Sequence, residues 1–244
     1  MNPLRQALLQ SRRRPRLAGA GSPAIARGDG YEFVELRDYV AGDDVRRIDW
    51  AATARTGTLQ TRVVLEDVAL TLGVIVDTSA SMNVGHARPL ARGAHEAAQA
   101  WAAATEPGDR FFEDETAHLA QALDVALRAY PRGTALLVVS DFYDLPQDDD
   151  LLIALALRFD CTALAARDPW YEELPLRGFV RVRDAETARQ TLLYLGGRER
   201  RRFTAAVRDR EATLLARFEQ CGWRAAVFDE RDGRHGLLRA FGLQ

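Results

Sequence analysis

The segment VIVDTSASMN, residues 74–83, brings a carboxylate and two alcohols to the end of an apolar run. The preceding residues are almost continuously apolar, which is typical of a strand that is covered on both faces. Asp77 ends this run, and Ser79 and Ser81 follow at every second position. In an extended loop this spacing places the three side chains on one side. One carboxylate and two neutral oxygens suit a hard divalent cation such as Mg²⁺, which keeps several of its waters.

A second predicted strand, TALLVVSD, also ends in an acid, Asp141. Binding sites in parallel α/β sheets collect at the carboxyl ends of strands, so Asp77 and Asp141 face one crevice if their strands are neighbours. Asp141 is then expected to hold one of the waters of the metal. Such a site has little negative charge of its own and favours an outside carboxylate as the last ligand. The alternative is that Asp77 merely ends a strand and that a serine caps the helix beginning near Arg88.

The elements around these residues alternate between strand and helix along the 244-residue chain, which is 47% hydrophobic. This alternation predicts an α/β fold, a mostly parallel sheet flanked by helices. A lead-in with aromatic and branched residues precedes it, and an interruption follows the third strand. The expected organisation is a flexible basic leader over 1–30, a β-rich charged lead-in over 31–66, the main α/β domain over 67–235 with a small hairpin insertion at about 168–198, and a tail over 236–244.

Composition excludes several classes of function. The net charge is −2 and the pI about 6.1, so the molecule as a whole is not a nucleic-acid binder. All 33 basic residues are arginine, which rules out chemistry that needs a lysine, such as a Walker A loop or a Schiff base. Cys161 and Cys221 lie too far apart for a metal knuckle.

The chain has no apolar stretch of about 18 residues. The first residues also lack the apolar centre of a signal peptide, so a cytoplasmic protein is expected. The basic segment SRRRPR of the leader is either a solvated tail or a contact for an acidic partner or an anionic membrane surface.

The lead-in is dense in matched charges around a tryptophan. One interpretation is a salt-bridge network that pins the lead-in to the main domain, with Trp50 packed beneath it. The other is a docking surface, because Trp and Arg are favoured anchors in protein interfaces. The candidate partner-binding residues are Arg37, Asp43, Asp44, Arg46, Arg47 and Trp50.

Four segments together carry a family resemblance: EFVELRDYVAGDDVRRIDWAATAR, DTSASM, VVSDFYD and DPWYEELPLRGFVRVRDAET. DTSAS resembles the metal-ion-dependent adhesion site of von Willebrand factor type A domains. The whole set resembles the bacterial family known as domain of unknown function 58, from about Gly28 to Glu230. The resemblance implies a von Willebrand factor type A-like, Rossmann-like domain behind a short β lead-in. It also implies association with MoxR-type AAA+ ATPases, in a pairing whose relatives are thought to mature or assemble other proteins.

The resemblance also implies metal ligands. Asp77, Ser79 and Ser81 match the first metal loop of the adhesion site and Asp141 matches the third. The second loop departs from the pattern, which places a threonine in a Gly-Gly-Thr turn before a helix. Thr116 precedes a predicted helix and is one candidate, and Thr134, which enters a strand directly, is another. The shortened loop implies either a weak metal site or a missing strand–helix unit.

Two functions follow as hypotheses. The first is a non-enzymatic interaction module whose Mg²⁺, or Mn²⁺ or Ca²⁺, grips an acidic side chain of a protein partner beside a MoxR-type ATPase. The second is a Mg²⁺-dependent phosphotransferase of the haloacid dehalogenase type, with Asp77 as nucleophile and Asp141 or Asp144 on the metal. The second is opposed by Ser79, which stands where such enzymes need another acid, and by the absence of lysine.

Overall fold

The computed structural model describes residues 2–12, 31–40, 45–66, 69–172 and 174–243. Two compact units divide the chain: a larger one made of residues 1–15 and 70–244, and a smaller one made of residues 16–69. The helices of the described residues are α1 (Pro3–Arg12), α2 (Trp50–Thr56), α3 (Leu90–Ala102), α4 (Leu119–Ala129), α5 (Asp150–Arg158), α6 (Gly197–Gln220) and α7 (Gly233–Ala240). The strands are β1 (Tyr31–Asp38), β2 (Gln60–Glu66), β3 (Thr71–Asp77), β4 (Arg110–Thr116), β5 (Ala135–Ser140), β6 (Asp160–Ala166), β7 (Gly178–Arg183), β8 (Gln190–Leu195) and β9 (Arg224–Phe228).

The smaller unit is a two-stranded antiparallel ribbon, β1 with β2, joined through α2. Asp49 caps this helix, because its carboxylate accepts the N–H of Ala52 at 2.9 Å. Gly57 ends the helix with a φ of 76°, a left-handed conformation that glycine adopts without steric cost. The expected β-rich lead-in therefore contains a capped helical turn as well.

The larger unit contains a five-stranded sheet in the order β4-β3-β5-β6-β9, and every neighbouring pair is parallel. The chain leaves β3 for β4 on one side and then crosses to β5 on the other side. The order of connection therefore reverses between β3 and β5, and ligands of doubly wound sheets bind in the crevice at such a reversal. The predicted α/β fold with a mostly parallel sheet flanked by helices is confirmed.

Two core layers cover the sheet. Val74 and Val76 of β3 point into the first core layer, which contains α1, α3 and α7. Ile75 points into the second core layer, which contains α4, α5 and α6 and also both free thiols, Cys161 and Cys221. Alternating side chains thus fill both faces, which explains the continuous apolar pattern of the strand. None of the helices in the described part of the chain combines the length and the apolarity needed to cross a bilayer.

The expectation of a flexible leader is wrong for its first residues. Pro3–Arg12 forms α1, and Leu4 and Leu8 are only 2% and 1% exposed within the first core layer. The guanidinium of the buried Arg5 pairs with Asp109 and Glu106. A single pair of leucines at a spacing of four is too weak a pattern to predict this packing. Residues 13–30 lie outside the described residues.

The expectation of a tail over 236–244 is also wrong, because residues 236–240 are part of α7. Leu237 is fully buried, and the start of α7 lies against α3. A Cβ atom on Gly233 would lie 1.7 Å from the carbonyl oxygen of Gly93, so only glycine permits this approach.

The hairpin expected in the insertion is present as a separate two-stranded antiparallel sheet of β7 and β8. Its register is continuous from Gly178 opposite Leu195 to Arg183 opposite Gln190. The chain then enters α6, a helix of 24 residues. The hairpin therefore precedes the helix whose Leu214 and Phe218 help to form the second core layer.

Candidate functional site

The candidate site lies at the carboxyl edge of the main sheet, where β3 and β5 end. Asp77 is the last residue of β3 and is only 3% exposed. One carboxylate oxygen accepts the N–H of Ser79 at 2.7 Å, and the other accepts the hydroxyl of Ser140 at 2.5 Å. These bonds orient the carboxylate toward the loop that follows and leave further lone pairs on both oxygens.

The serine hydroxyls connect the two strand ends. The hydroxyl oxygens of Ser79 and Ser81 are 3.0 Å apart, and the Ser81 hydroxyl also hydrogen-bonds the carboxylate of Asp141. Asp77 is close enough for its charge to raise the pKa of Asp141. The structure therefore brings together the four residues that the sequence predicted to meet: Asp77, Ser79, Ser81 and Asp141.

Burial is the main reason why the pKa of Asp141 is raised above its ordinary value. Hydrogen bonds from Ser81 and from the N–H of Tyr143 and the charge of Arg210 lower this pKa but do not outweigh burial, and the charge of Asp77 raises it further. The surroundings of Asp141 therefore compensate its negative charge only in part.

Arg210 is the nearest cation, but it does not pair with the carboxylate. Its guanidinium donates to the main-chain carbonyl of Asp141 at 2.9 Å and stacks over the ring of Tyr143, 3.6 Å from the ring centroid. Within the described residues, the carboxylates of Asp77 and Asp141 accept hydrogen bonds and form no ion pair. The crevice thus holds two buried acids that an added cation would neutralise.

Phe142, the residue after Asp141, has a φ of 57°, which is rare for a side chain of this size. Its ring is buried and packs edge-on against Phe218, with 4.7 Å between centroids. The sharp turn lets the N–H of Tyr143 reach the Asp141 carboxylate at 3.1 Å. Backbone strain of this kind concentrates at functional sites and supports a role for this loop.

The two threonine candidates lie at opposite edges of the sheet. Thr116 ends β4 directly beside Asp77, and its main-chain carbonyl accepts the N–H of Thr78 at 2.7 Å. Its hydroxyl accepts the N–H of His118 at 2.9 Å just before α4. Thr134 precedes β5 at the amino edge, where its buried hydroxyl donates to Pro131. Thr134 is therefore wrong as a candidate, and Thr116 lies at the edge where the metal is expected.

The loop after the serines is tied to the end of β9 by Glu230. The buried carboxylate of Glu230 accepts the N–H groups of His86 and Ala87, the latter at 2.7 Å. Arg88 donates to the main-chain carbonyl of Glu230. Burial alone raises the pKa of Glu230, but these N–H donors and the charge of Arg231 outweigh it, so the pKa is lowered. The ionised acid thereby fixes the loop that carries the candidate ligands.

The segment DPWYEELPL also reaches this edge. Asp168 accepts the N–H of Trp170 at 2.7 Å, and the Trp170 ring lies edge-on to His86 with 4.2 Å between centroids. Burial raises the pKa of Asp168, a further acid near Arg210. Three of the four segments that carry the family resemblance thus contribute to one edge of the main sheet.

An open cleft of about 680 Å³ lies beside Asp77. Its other wall is the amino-terminal half of α3, which contributes Arg92, His95 and Glu96, and Glu115 of β4 closes one side. The cleft has room for side chains of a bound segment next to the candidate ligands.

Sequence reasoning missed two residues of the site. Ser140 had a weak signal, because it precedes Asp141 in the predicted strand end. Glu186 had none. It lies between β7 and β8, and its carboxylate accepts the N–H of Ser81 at 2.8 Å from 105 positions away in the chain.

The structure of the lead-in disagrees with the interpretation in which Trp50 is packed beneath a salt-bridge network. Trp50, the first residue of α2, is 68% exposed, so it is not packed beneath a salt-bridge network. Arg37 donates to the carbonyl of Asp38 at 3.1 Å, and Arg46 is exposed. Asp43 and Asp44 lie outside the described residues, as does the side chain of Arg47. Partner binding by this segment stays a prediction.

The donor set fits a hard cation through mixed oxygens. Among the described residues, no three His, Cys, Asp or Glu side chains come together in a way that would hold a metal ion. The crevice instead offers two carboxylates and the hydroxyls of Ser79 and Ser81, a combination that suits Mg²⁺ with several retained waters.

The fold and this edge define a doubly wound α/β protein with an acidic, hydroxyl-lined crevice at the reversal of strand order. The chain belongs to the family described as "Protein of unknown function DUF58", whose sequence profile matches residues 35–111 and 89–213.

Similar proteins include two uncharacterized proteins of Mycobacterium tuberculosis and one of Mycobacterium bovis. Each is 31% identical over 199 aligned residues, which cover 66% of this chain and 62% of the relative. The chain thus spans less than two thirds of the length of these relatives. No solved structure matches the chain.

Proposed function

We propose that the chain is a non-enzymatic protein-interaction module that uses a bound metal ion to hold an acidic side chain of a partner. Asp77, Ser79, Ser81 and Asp141 hold Mg²⁺, or Mn²⁺ or Ca²⁺, and Thr116 lies close enough along the sheet edge to contribute. The module works in the cytoplasm with a MoxR-type AAA+ ATPase in the maturation or assembly of other proteins.

The single observation that supports this proposal most is the pair of buried acids, Asp77 and Asp141, linked through Ser81 and left without an ion pair among the described residues. Burying a carboxylate without an ion pair costs free energy, and a divalent cation lowers that cost. When bound there, the metal supplies an electrophilic position for one more oxygen ligand. The likeness of DTSAS to a metal-ion-dependent adhesion site supports the same conclusion.

The ATPase and the process rest on the family resemblance alone. The resemblance connects the family with MoxR-type ATPases, and the acidic crevice, once it holds a metal, is suited to a carboxylate ligand from another protein. The von Willebrand factor type A likeness belongs to this proposal as well.

No observation favours the phosphotransferase. Asp144, one of its metal candidates, is exposed in the turn after β5. Ser79 stands where such an enzyme needs a second acid, and the sequence has no lysine.

Titration calorimetry with Mg²⁺ and Mn²⁺ tests the site directly. The wild type is expected to bind one ion, and Asp77→Ala is expected to lose binding because it removes a ligand while the strand keeps its apolar core. Asp144→Ala is the matched control, since it removes a nearby exposed acid and is expected to bind metal as the wild type does. Equal affinity in the wild type and Asp77→Ala would contradict the proposal.

Pull-down from the host, with Mg²⁺ and with excess chelator, tests the partner. The expected result is that a MoxR-type ATPase or an acidic protein is recovered with the wild type and Asp144→Ala in Mg²⁺ only, and is absent with Asp77→Ala. Circular dichroism verifies that each variant is folded. Recovery that is unchanged by both chelator and Asp77→Ala would show that the crevice does not hold the partner.

A further inference from the structure

The turn between β7 and β8 brings a third carboxylate to the candidate site. The carboxylate of Glu186 accepts the main-chain N–H of Ser81 at 2.8 Å. Ser81 is the residue whose hydroxyl joins Ser79 to Asp141. The carboxylate of Glu186 therefore lies beside the loop that carries Ser79 and Ser81.

The turn that carries Glu186 has a defined shape. The carboxylate of Asp184 accepts the N–H of Thr187 at 2.7 Å, and the N–H of Asp184 donates to the carbonyl of Arg189 at 2.9 Å. Ala188 closes the turn with a φ of 57°. Glu186 is thus presented at the tip of a closed hairpin, as a ligand side chain on a partner's loop would be presented.

Glu186 brings a further acidic side chain to the loop that joins Asp77 to Ser81, although the acids do not by themselves form a group that would hold a metal ion in the described part of the chain. Asp77 and Asp141 are buried and Glu186 approaches from the solvent side. Like charges at close range repel one another strongly in a partly buried crevice, and a divalent cation among them turns the repulsion into attraction. A metal ion held by Asp77 and Ser81 would therefore attract the carboxylate of Glu186, which already contacts the main chain of Ser81.

Burial does little to hold the hairpin in place. Phe179, Leu192 and Tyr194 lie on one face of the ribbon and are 76%, 64% and 61% exposed. A segment with so few buried apolar contacts can move away from the domain at small cost in free energy.

We infer that Glu186 is the chain's own carboxylate ligand, which occupies the metal position that a partner's acid takes and which must leave when that partner binds. This inference rests on the proposed metal site. The partner's ligand is then a glutamate or aspartate at the tip of a turn. Its carboxylate competes with that of Glu186 for the same position on the metal. Tethering raises the effective concentration of Glu186, so only a partner that contributes contacts beyond a single carboxylate displaces it.

Bound Mn²⁺ provides the test, because the relaxation of water protons reports how many exchanging waters the ion keeps. The variant Glu186→Gln removes the ligand charge, and Glu219→Gln, an exposed acid in the last turn of α6, is the control. In Glu186→Gln we expect Mn²⁺ to bind about tenfold more weakly and with a larger water-proton relaxation per bound ion. Added acetate should reverse that increase in Glu186→Gln and have little effect on the wild type or on Glu219→Gln.

Two other outcomes overturn the inference in different ways. If Mn²⁺ binds to the wild type and to Glu186→Gln with the same affinity and the same relaxation, Glu186 is not a ligand while the metal site stands. If the folded wild type binds no Mn²⁺, the proposed metal site fails and the inference fails with it.

Discussion

Asp141 shows how folding changes the proton affinity of a buried acid. Burial raises the pKa of its carboxyl group, and the negative charge of Asp77 adds to the effect. A raised pKa means that the folded state binds the proton more tightly than the unfolded state does. Stability from this group is therefore greatest at low pH and decreases as the pH rises through the raised pKa.

The variant Asp141→Asn, which carries no charge at any pH, is expected to show this cost in chelator. Its free energy of unfolding should rise relative to that of the wild type as the pH goes from about 4 to about 8, because only the wild type must ionise a buried acid. Urea unfolding across this range measures the difference.

Mg²⁺ should reverse the order of the two proteins. It stabilises the wild type by binding the folded state alone and leaves Asp141→Asn almost unchanged. Asp144→Asn, an exposed acid on the same loop, should follow the wild type in both conditions. A variant Asp141→Asn that is less stable than the wild type at every pH in chelator would mean that the ionised acid is already compensated.

At the scale of elements, the contact between α3 and α7 depends on the absence of side chains. Gly93 and Gly233 approach so closely that a Cβ on Gly233 would lie 1.7 Å from the Gly93 carbonyl oxygen. Helix α7 follows β9, whose end holds Glu230 against the loop of the site. Displacing α7 would therefore disturb both the first core layer and the support of the candidate ligands.

Gly233→Ala should lower the free energy of unfolding by about 1–3 kcal/mol, because backbone must move to admit the methyl group. Gly197→Ala is a close control, since Gly197 is also the first residue of a helix and a Cβ there meets nothing nearer than 3.5 Å. That control should be neutral or up to about 1 kcal/mol more stable. Equal stabilities of the two variants would show that α7 adjusts without strain.

At the scale of the whole molecule, α1 belongs to the larger unit although residues 16–69 of the smaller unit follow it in the chain. Leu4 and Leu8 lie in the first core layer, and the pair between Arg5 and Asp109 is buried. Helix α1 therefore packs in the core of the main sheet, although the first strand of that sheet, β3, begins only at Thr71.

Leu8→Ala should lower the free energy of unfolding of the larger unit by about 2–5 kcal/mol, as removal of a fully buried leucine does in other proteins. Gln10→Ala, an exposed position on the same helix, should change it by less than about 0.5 kcal/mol. Thermal unfolding of both variants gives the comparison. Loss of α1 without a measurable effect would place it outside the cooperative unit.

Much of the fold and part of the site are encoded in local pattern. The buried strands before Asp77 and Asp141 have a continuous apolar signal, so their ends were predictable, and the parallel topology then brings both acids to one edge. Thr116 was identifiable because it precedes a helix. Thr134 was the weaker alternative from the start, because it begins the strand that leads to Asp141 and binding sites collect at the carboxyl ends of parallel strands.

The remaining features depend on contacts that are distant in the chain. Glu186 reaches Ser81 only through the packing of the hairpin, and no local signal in residues 184–189 indicates it. The burial of α1 depends on the space that α3 leaves beside the sheet. The exposure of Trp50 was also not predictable, because an aromatic residue among charges is compatible with either a buried or an exposed position.

The second core layer contains both cysteines of the chain, one near the start of β6 at Cys161 and one just after α6 at Cys221. Burial, assisted by Asp149, raises the pKa of Cys221, so little of the reactive thiolate forms while the core is closed. The rate at which each thiol is modified therefore reports how often the part of the core around it opens. Modification of Cys221 alone would indicate that the end of α6 opens locally. Modification of Cys161 would indicate that the core around β6 opens as well.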